Sequence, residues 1–419
     1  MASDRGPRLV LFVGLLLGLA YLGYTFALKP SFGVNFRVYR AAAAAALQGG
    51  DVYSAVPPGL PSQYTYLYPP VTVLFFLPFV LAPDWQTGYA VVTLVSLLAC
   101  ALLAHLLVVV IERRRDALLP LLDRLLIYGY VVGSSLSLPS LVYGNVNLLL
   151  ALLVAVAVAA LEYEAETARA VLDETHETLA GVALGVAALV KVFPALFGAW
   201  WLRTRADRPL GAMVATGVVG LVVGLAVFGV DTTRQFFTTV LTTRLEPGLF
   251  AGGLPPGEPY VTIRRPLAAL GVPPGRLGAV AAAVLAVPVL LLYRGPLVDH
   301  DRLVAILGTL AAVIVFVPSL PLYLVFLYYP LVPLLYLVEA RPARTLLLLG
   351  GAVINFAFQF DDVQTLLSFA PLPTVVRDAL TAGARAVLSV ATPPLWGVTL
   401  LLLGCLAYRY RPLGARPAR

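Results

Sequence analysis

The chain has little charge, which excludes a water-soluble globular protein. Only 12% of its 419 residues are Asp, Glu, Lys or Arg, whereas 60% are hydrophobic. Soluble domains carry about 25% charged residues. Apolar runs close to the roughly 20 residues of a membrane-spanning helix recur along the whole chain. The short alternating segments of a membrane barrel are absent, so the sequence predicts an all-α, polytopic membrane helix bundle.

Cysteine and histidine are also scarce. Cys100 and Cys405 both lie inside apolar runs, where small buried side chains are expected rather than a disulfide. His105, His176 and His300 do not cluster in the sequence, so no zinc site is indicated. A phosphate-cradling glycine loop of the GxxxxGK[ST] type is absent. We therefore expect no metal and no organic cofactor.

Lysine is nearly missing, and arginine supplies most of the formal net charge of +7. The cations sit in short loops between apolar runs, as the positive-inside bias requires, and no basic stripe could neutralise several phosphates. We therefore expect membrane lipids and no nucleic acid as partners. The same bias predicts a multi-pass protein of the cell membrane with cytoplasmic N- and C-termini.

The apolar runs predict about 11–12 membrane helices in one integral membrane domain that covers residues 1–419. Ala180–Leu202 and Val387–Ala407 are each expected to form a continuous span. Val71–Leu81 is short for a span, and is either a tilted helix extended by residues 66–70 or a re-entrant segment. The long polar stretches predict external loops at about 29–70, 231–275 and 361–384.

The first of these loops holds the longest run of polar and aromatic residues near the start of the chain. Asn35–Leu47 predicts a helix, because it contains six consecutive alanines. The pair Gly49-Gly50 is typical of a helix end. Tyr64–Pro70 is expected to be extended before a double proline.

Ionisable residues at membrane depth are costly and are candidates for function. Lys191 is the clearest case, because its sequence neighbours are apolar and Pro194 interrupts the helix after it. Two roles remain open for Lys191. It either has a structural role, with its amine reaching the membrane surface, or it binds an anionic headgroup or phosphate.

Three further groups of polar residues have two interpretations each. Asn145 and Asn147 either cap the helix that follows or bind a polar ligand through their amides. Arg264 and Arg265 either anchor lipid headgroups or bind a phosphate in a bidentate manner. A general base outside the membrane is expected near Asn35 or among the external acids Asp51, Asp231, Glu246, Glu258, Asp361, Asp362 and Asp378.

The order of several motifs resembles one known family. NFRVYRAA from Asn35, GGDVYS from Gly49 and YTYLYPP from Tyr64 resemble its first external loop. YGNVNLLL and AGVALGVAALVKVFP resemble a G-Q-x-N turn and a G-x-x-x-G-x-A-x-x-x-K-x-x-P helix, and VPSLPLYLVFLYYPLVPLL resembles a late S-W-x-H-Y-x-x-x-L-x-P helix. Together these motifs are similar to the polytopic mannosyltransferases of glycosyltransferase family 87, which have the GT-C fold.

The resemblance implies a hexosyltransferase that moves a sugar, usually mannose, from a polyprenyl-phosphate donor to a glycolipid or glycan acceptor at the outer surface. An acid in the first external loop would act as general base, and basic residues would stabilise the leaving phosphate. The resemblance assigns substrate binding to the motif residues Arg37, Tyr39, Tyr53, Tyr68, Asn145, Asn147, Lys191 and Tyr323. Arg264 and Arg265, which lie outside these motifs, are added as candidates for a phosphate contact.

The chain departs from the family pattern at three positions. The acid of the first motif is Asn35, which cannot act as a base, the Gln of G-Q-x-N is Asn145, and the late histidine is Leu322. Either Asp51 or another external carboxylate takes the catalytic role, or the protein is an inactive member. The alternative function is therefore a non-catalytic carrier, flippase or binding subunit for lipid-linked sugars.

Overall fold

The structure, a computed structural model, describes residues 4–28, 31–166, 170–242, 254, 257–295, 297 and 300–411; the side chains of 161–174 and 199 are not described. The fold is all-helical, with 78% of residues in helices. The described residues form no strand, and an isolated bridge joins Val261 to Ser319. The predicted class, a polytopic membrane helix bundle, is confirmed.

Several helices are long and apolar enough to cross a membrane. Among the described residues these are Arg5–Leu28, Trp85–Arg115, Asp207–Val240 and Pro274–Leu292. A fifth candidate is the bent pair of Thr374–Val390 and Pro393–Arg409. The apolar helices Asn147–Ala160, Thr175–Val190 and Pro321–Leu337 are shorter. The number of about 11–12 spans therefore stays a prediction.

The chain divides into two compact units, each built from separate segments. Unit 1 comprises Met1–Tyr21, Leu107–Ser137 and Pro247–Arg419, and unit 2 comprises Leu22–Leu106 and Leu138–Glu246. The first nine α-helices are α1 Arg5–Leu28, α2 Val34–Leu47, α3 Trp85–Arg115, α4 Leu121–Gly133, α5 Leu138–Tyr143, α6 Asn147–Glu166, α7 Ala170–Val190, α8 Gly198–Thr204 and α9 Asp207–Gln235.

Within unit 2, small residues let α7 and α9 pack closely. A Cβ on Gly181 would lie 2.3 Å from the carbonyl oxygen of Pro209, and one on Gly185 would lie 2.7 Å from Thr216. Helix α9 bends at Gly229, whose φ of +83° lies in the left-handed region that favours glycine. The outer part of α9 thereby reaches the first loop.

The remaining helices belong to unit 1 and are α10 Arg264–Ala269, α11 Pro274–Leu292, α12 Asp301–Phe316, α13 Tyr328–Leu337, α14 Arg341–Val353, α15 Phe360–Phe369, α16 Thr374–Val390 and α17 Pro393–Arg409. Helices α14 and α17 pack closely where a Cβ on Gly350 would lie 2.8 Å from the carbonyl oxygen of Gly397. A buried ion pair of 2.8 Å joins Arg409 to Asp301.

Three apolar segments differ from the sequence-based predictions. Val71–Leu81 is not a tilted helix, because it lies in two short 3₁₀ helices, Pro70–Phe75 and Leu77–Leu81, which prolines begin. Ala180–Leu202 is not a continuous span, because α7 ends at Val190 and a 3₁₀ helix with Pro194 at its start follows. Val387–Ala407 is divided at residues 391–392, before a Pro-Pro pair.

Candidate active site

The first loop of unit 2 is held by helix α2, whose buried face packs against α3 and the turn before α6. The ring of Phe36 is fully buried and lies 6.4 Å from that of Tyr89 in α3. Gly144 adopts φ +66°, and a Cβ there would lie 2.7 Å from the Cβ of Phe36. Only glycine fits this backbone and this approach. The turn that carries Asn145 is therefore packed directly on α2.

Four tyrosines of the first loop form one cluster, called here the tyrosine cluster: Tyr39, Tyr53, Tyr66 and Tyr68. The hydroxyls of Tyr39 and Tyr68 are hydrogen-bonded at 3.2 Å, and Tyr53 donates to the carbonyl of Tyr68 at 3.0 Å. The fully buried Tyr66 is hydrogen-bonded to the hydroxyl of Thr72 at 2.5 Å. Because these bonds fix the rings relative to one another, Tyr68 is presented in one orientation while remaining partly exposed.

Asp51 lies at the edge of the tyrosine cluster and is exposed. Its Oδ1 accepts the backbone N–H of Tyr53 at 2.9 Å, and its Oδ2 accepts Nε2 of Gln235 at 3.0 Å. Partial burial disfavours the charged form, but the hydrogen bonds from Gln235, Tyr53 and Ser54 outweigh it and lower the pKa of Asp51 below its ordinary value. Asp51 is therefore a carboxylate at neutral pH, oriented by the end of α9.

Lys191 lies beside the same cluster, at the break that follows α7. Its side chain is buried, and its ammonium group donates a hydrogen bond to the carboxamide oxygen of Asn147. The same Nζ lies 5.8 Å from the centroid of the Tyr68 ring, within the range of a cation–π contact. Three motifs that are far apart in the sequence thus meet at one cation: the aromatic strip, the asparagine turn and the lysine segment.

The two asparagines of the turn have different roles. The side-chain oxygen of Asn145 accepts the backbone N–H of Asn147 at 3.0 Å, which caps the start of α6. The backbone N–H of Asn145 donates to the carbonyl of Ser140 at 2.7 Å. Asn145 thereby shapes the turn, whereas the fully buried Asn147 contacts the Lys191 ammonium directly.

Two predicted residues lie on α2 beside the cluster. Arg37 donates to the carbonyl of Pro58, and its guanidinium lies 5.2 Å from the centroid of the Trp85 ring. Asn35 lies in the first turn of α2 and is half-buried. The neighbouring Arg40 donates to the carbonyls that end the 3₁₀ segment. These contacts tie α2 to the loop, and Arg37 remains only partly covered.

The other predicted residues belong to unit 1. Arg265 is buried and donates to three backbone carbonyls, those of Leu388 at 3.0 Å, Leu254 at 3.3 Å and Glu258 at 2.6 Å. The guanidinium of Arg264 lies 5.3 Å from the centroid of the Phe316 ring. Tyr323 is half-buried in the 3₁₀ helix Pro321–Leu327. The bonds of Arg265 are those of a structural residue, so Arg264 is the better candidate for an anion contact.

The sequence also predicts Glu246 and Asp362 as external acids. Glu246 lies outside the described residues. The side chain of Asp362 accepts the backbone N–H of Gln359 at 3.0 Å and caps α15. Asp51 is the external acid that the described contacts bring to the cluster through Tyr53.

Sequence reasoning missed three side chains of the site, Gln235, Phe236 and Thr72. Gln235 follows Asp51 by 184 residues, and no local pattern links the two. Phe236, directly after Gln235, is also missed, although its ring lies 6.4 Å from that of Tyr53. One local signal could have indicated these residues: an apolar helix that ends in a polar amide next to an aromatic residue.

The fold and this cluster define a helical membrane protein with a polar, aromatic site. A family model described as Glycosyltransferase family 87 matches residues 66–321. The match covers more than half of the chain and includes Tyr68, Asn147 and Lys191, whereas Asn35 and Asp51 precede it. The chain belongs to glycosyltransferase family 87, as the motifs predicted, and it is a membrane glycosyltransferase. It matches no curated protein and no solved structure.

Proposed function

We propose that the protein is a hexosyltransferase that transfers mannose from a polyprenyl-phosphate donor to a lipid-linked or surface glycoconjugate acceptor at the outer membrane surface. The observation that carries this proposal is the buried Lys191 ammonium beside Tyr68 and Asn147. A donor of this class needs a cation next to its phosphate and no nucleotide-binding fold.

Lys191 is suited to stabilise the leaving phosphate. Charge develops on the bridging oxygen as the bond between sugar and phosphate breaks, and a fixed cation lowers the energy of that state. The effect is larger at a buried position than in water, because the effective dielectric constant is lower. Asn147 fixes the ammonium group while remaining neutral, so this contact does not cancel the positive charge.

Asp51 is proposed as the general base. It would take the proton of the acceptor hydroxyl as that oxygen forms a bond to the anomeric carbon. The bond between this carbon and the donor phosphate breaks at the same time, with inversion, and the polyprenyl phosphate leaves. Asn35 cannot take a proton; its amide is suited to hydrogen-bond a sugar or acceptor hydroxyl.

The test is transfer of radiolabelled mannose from polyprenyl-phosphate mannose to glycolipid in membranes that contain the protein. We expect wild-type activity, a strong loss in Asp51→Asn, and a strong loss in Lys191→Met. Asp84→Asn is the matched control, since Asp84 is another carboxylate near the first loop and caps α3 through the N–H of Thr87. It should retain turnover.

Each outcome has a defined meaning. Absence of transfer in wild type and in Asn35→Asp would overturn the enzyme assignment for this donor and favour a carrier of lipid-linked sugar. Unchanged turnover in Asp51→Asn would remove Asp51 as the base. Unchanged turnover in Lys191→Met would remove the phosphate role of the lysine.

A further inference from the structure

Helix α16, in unit 1, exposes a continuous apolar face that the mechanism above does not use. Five of its aliphatic side chains are 40–78% exposed, and we call them the α16 apolar face: Val375, Val376, Leu380, Val387 and Val390. Much of this helix lies in the segment that the sequence predicts to be a polar external loop. Such a face is costly in water at roughly 25 cal/mol per Å² of apolar surface.

The apolar residues of α16 share one side of the helix. Val376, Leu380 and Val387 are spaced by four and seven residues, which places them in one row at 100° per residue. Val375 and Val390 lie in an adjacent row, and the other residues of that row are alanines. The charged residues fall on the remaining arc and are Arg377, Asp378 and Arg385. The helix is therefore amphipathic along its whole length.

The opposite side of α16 is fastened to the rest of unit 1. Leu388 is buried, and its carbonyl accepts the guanidinium of Arg265 at 3.0 Å. The guanidinium of Arg385 lies 5.1 Å from the centroid of the Phe360 ring in α15. The orientation of the helix is thus set by Leu388 on its inner side and by Arg385, which is exposed at the edge, and the α16 apolar face is turned outward.

The neighbouring helix shows what covers this face. Helix α17 begins at Pro393, and α16 and α17 together have the length and composition of a membrane span, although they are bent by 47° at the break. The apolar face of α16 is therefore continuous along the chain with an apolar helix, and the two helices together are long and apolar enough to cross a membrane. An amphipathic helix with charged edges next to a span is typical of the lipid–water boundary.

We infer that α16 is an interfacial helix whose apolar face inserts into the acyl region of a lipid leaflet, with Asp378 and Arg385 at the level of the headgroups. The occupant of the face is membrane lipid. The inference is independent of the sugar donor and of the catalytic residues proposed above.

The experiment measures depth in the bilayer. Full-length protein carries a nitroxide label on one introduced cysteine, at Leu380→Cys or Val387→Cys on the apolar face, or at Asp378→Cys or Arg385→Cys on the charged edge. The labelled protein is reconstituted into phosphatidylcholine and phosphatidylglycerol vesicles. Cys100 and Cys405 are buried, and wild-type protein treated with the label corrects for any reaction at them.

We expect the labels at 380 and 387 to collide mainly with oxygen, which concentrates in the acyl region, and to lie about 5–10 Å below the boundary. The labels at 378 and 385 should collide mainly with a water-soluble nickel chelate. Equal accessibility of all four positions to the nickel chelate would overturn the inference. So would spin–spin broadening at 380 that disappears when labelled protein is diluted with unlabelled protein, because a second copy would then cover the face.

Discussion

The contact between Lys191 and Asn147 allows the structural and catalytic roles of the lysine to be separated. Asn147 is fully buried, and its oxygen accepts a hydrogen bond from the ammonium group. Asn147→Leu removes that acceptor at nearly constant volume. We expect the free energy of unfolding to fall by about 2–3 kcal/mol, since loss of a partner for a buried charged group costs at least as much as for a neutral one.

The double variant tests whether this cost arises from the lysine. Lys191→Met has a similar length and no charge, so Asn147→Leu should cost much less in its presence. The coupling energy between the two positions should be about 2 kcal/mol. Lys191→Met alone should cost less than Asn147→Leu, about 1 kcal/mol, because it takes a partner from a neutral amide oxygen rather than from a buried charge.

The effects of these substitutions on activity should differ from their effects on stability. Lys191→Met should lower kcat/KM by roughly 10²–10³, the usual effect of removing one preorganised group that stabilises transition-state charge. Asn147→Asp supplies a counter-ion to the ammonium group. It should therefore maintain or raise stability and still lower turnover, because the aspartate competes with the donor phosphate for the same cation.

Thermal unfolding in detergent, followed by tryptophan emission, gives the stability, and the mannose-transfer assay gives the activity. Val190→Ala is the control, since Val190 is buried directly before Lys191 and its truncation lowers stability through a cavity alone. Full turnover in both Lys191→Met and Asn147→Asp would refute the phosphate role. A coupling energy near zero would refute the interpretation of the buried contact.

Three other predictions concern the loop and the packing around it. If Asp51 is the base, wild-type activity is present above the lowered pKa of Asp51 and is lost as the pH falls through that pKa. Gln235→Leu removes a hydrogen bond to the carboxylate and should raise this pKa. The loss of activity should therefore occur at a higher pH in a pH–rate profile. Gly144→Ala should lower stability in thermal unfolding by about 2 kcal/mol, because it combines a positive φ with a contact to Phe36, and normal stability would contradict this. Arg265→Met should lower stability by roughly 2–4 kcal/mol with no selective loss of turnover, because three carbonyls lose a buried donor.

The membrane class and the first loop could be predicted because they depend on local signals. The run of alanines from 41 to 46 forms α2, which ends at Leu47, and Gly49 adopts φ +70° directly after it. Pro69 precedes the first 3₁₀ helix, and Pro70 begins it. Each of these features depends only on neighbouring residues, so helix propensity and the backbone preferences of glycine and proline are sufficient to predict it.

The breaks in the apolar segments could not be predicted in the same way. The residues on both sides of Lys191 are apolar enough for a continuous span, and hydrophobicity alone does not distinguish a straight helix from a broken one. Pro194 lacks a backbone N–H, and the chain resumes as a 3₁₀ helix at Phe193. The break leaves Lys191 at a helix end, where its buried side chain contacts Asn147.

The contact between Gln235 and Asp51 could not be predicted because the two residues are far apart in the sequence. The amide of Gln235 meets Asp51 across 184 positions, and neither residue has an unusual neighbourhood in the sequence. The bend of α9 at Gly229 precedes Gln235. A glycine in an apolar helix is common, so its position does not by itself indicate which loop the helix end will reach.

The proposal that Asp51 is the base rests on the contrast between Asn35 and Asp51. An amide has no basic lone pair near neutral pH, so Asn35 leaves the proton of the acceptor hydroxyl without a receiver. Asp51 is ionised, and Gln235 and the backbone of Tyr53 orient it. Tyr53 also bonds the carbonyl of Tyr68, whose ring faces the Lys191 ammonium, so one short chain of contacts links the carboxylate to the cation. The proposed transfer from a phosphate donor needs a base and a cation on opposite sides of the sugar, and in this proposal Asp51 rather than Asn35 is the base.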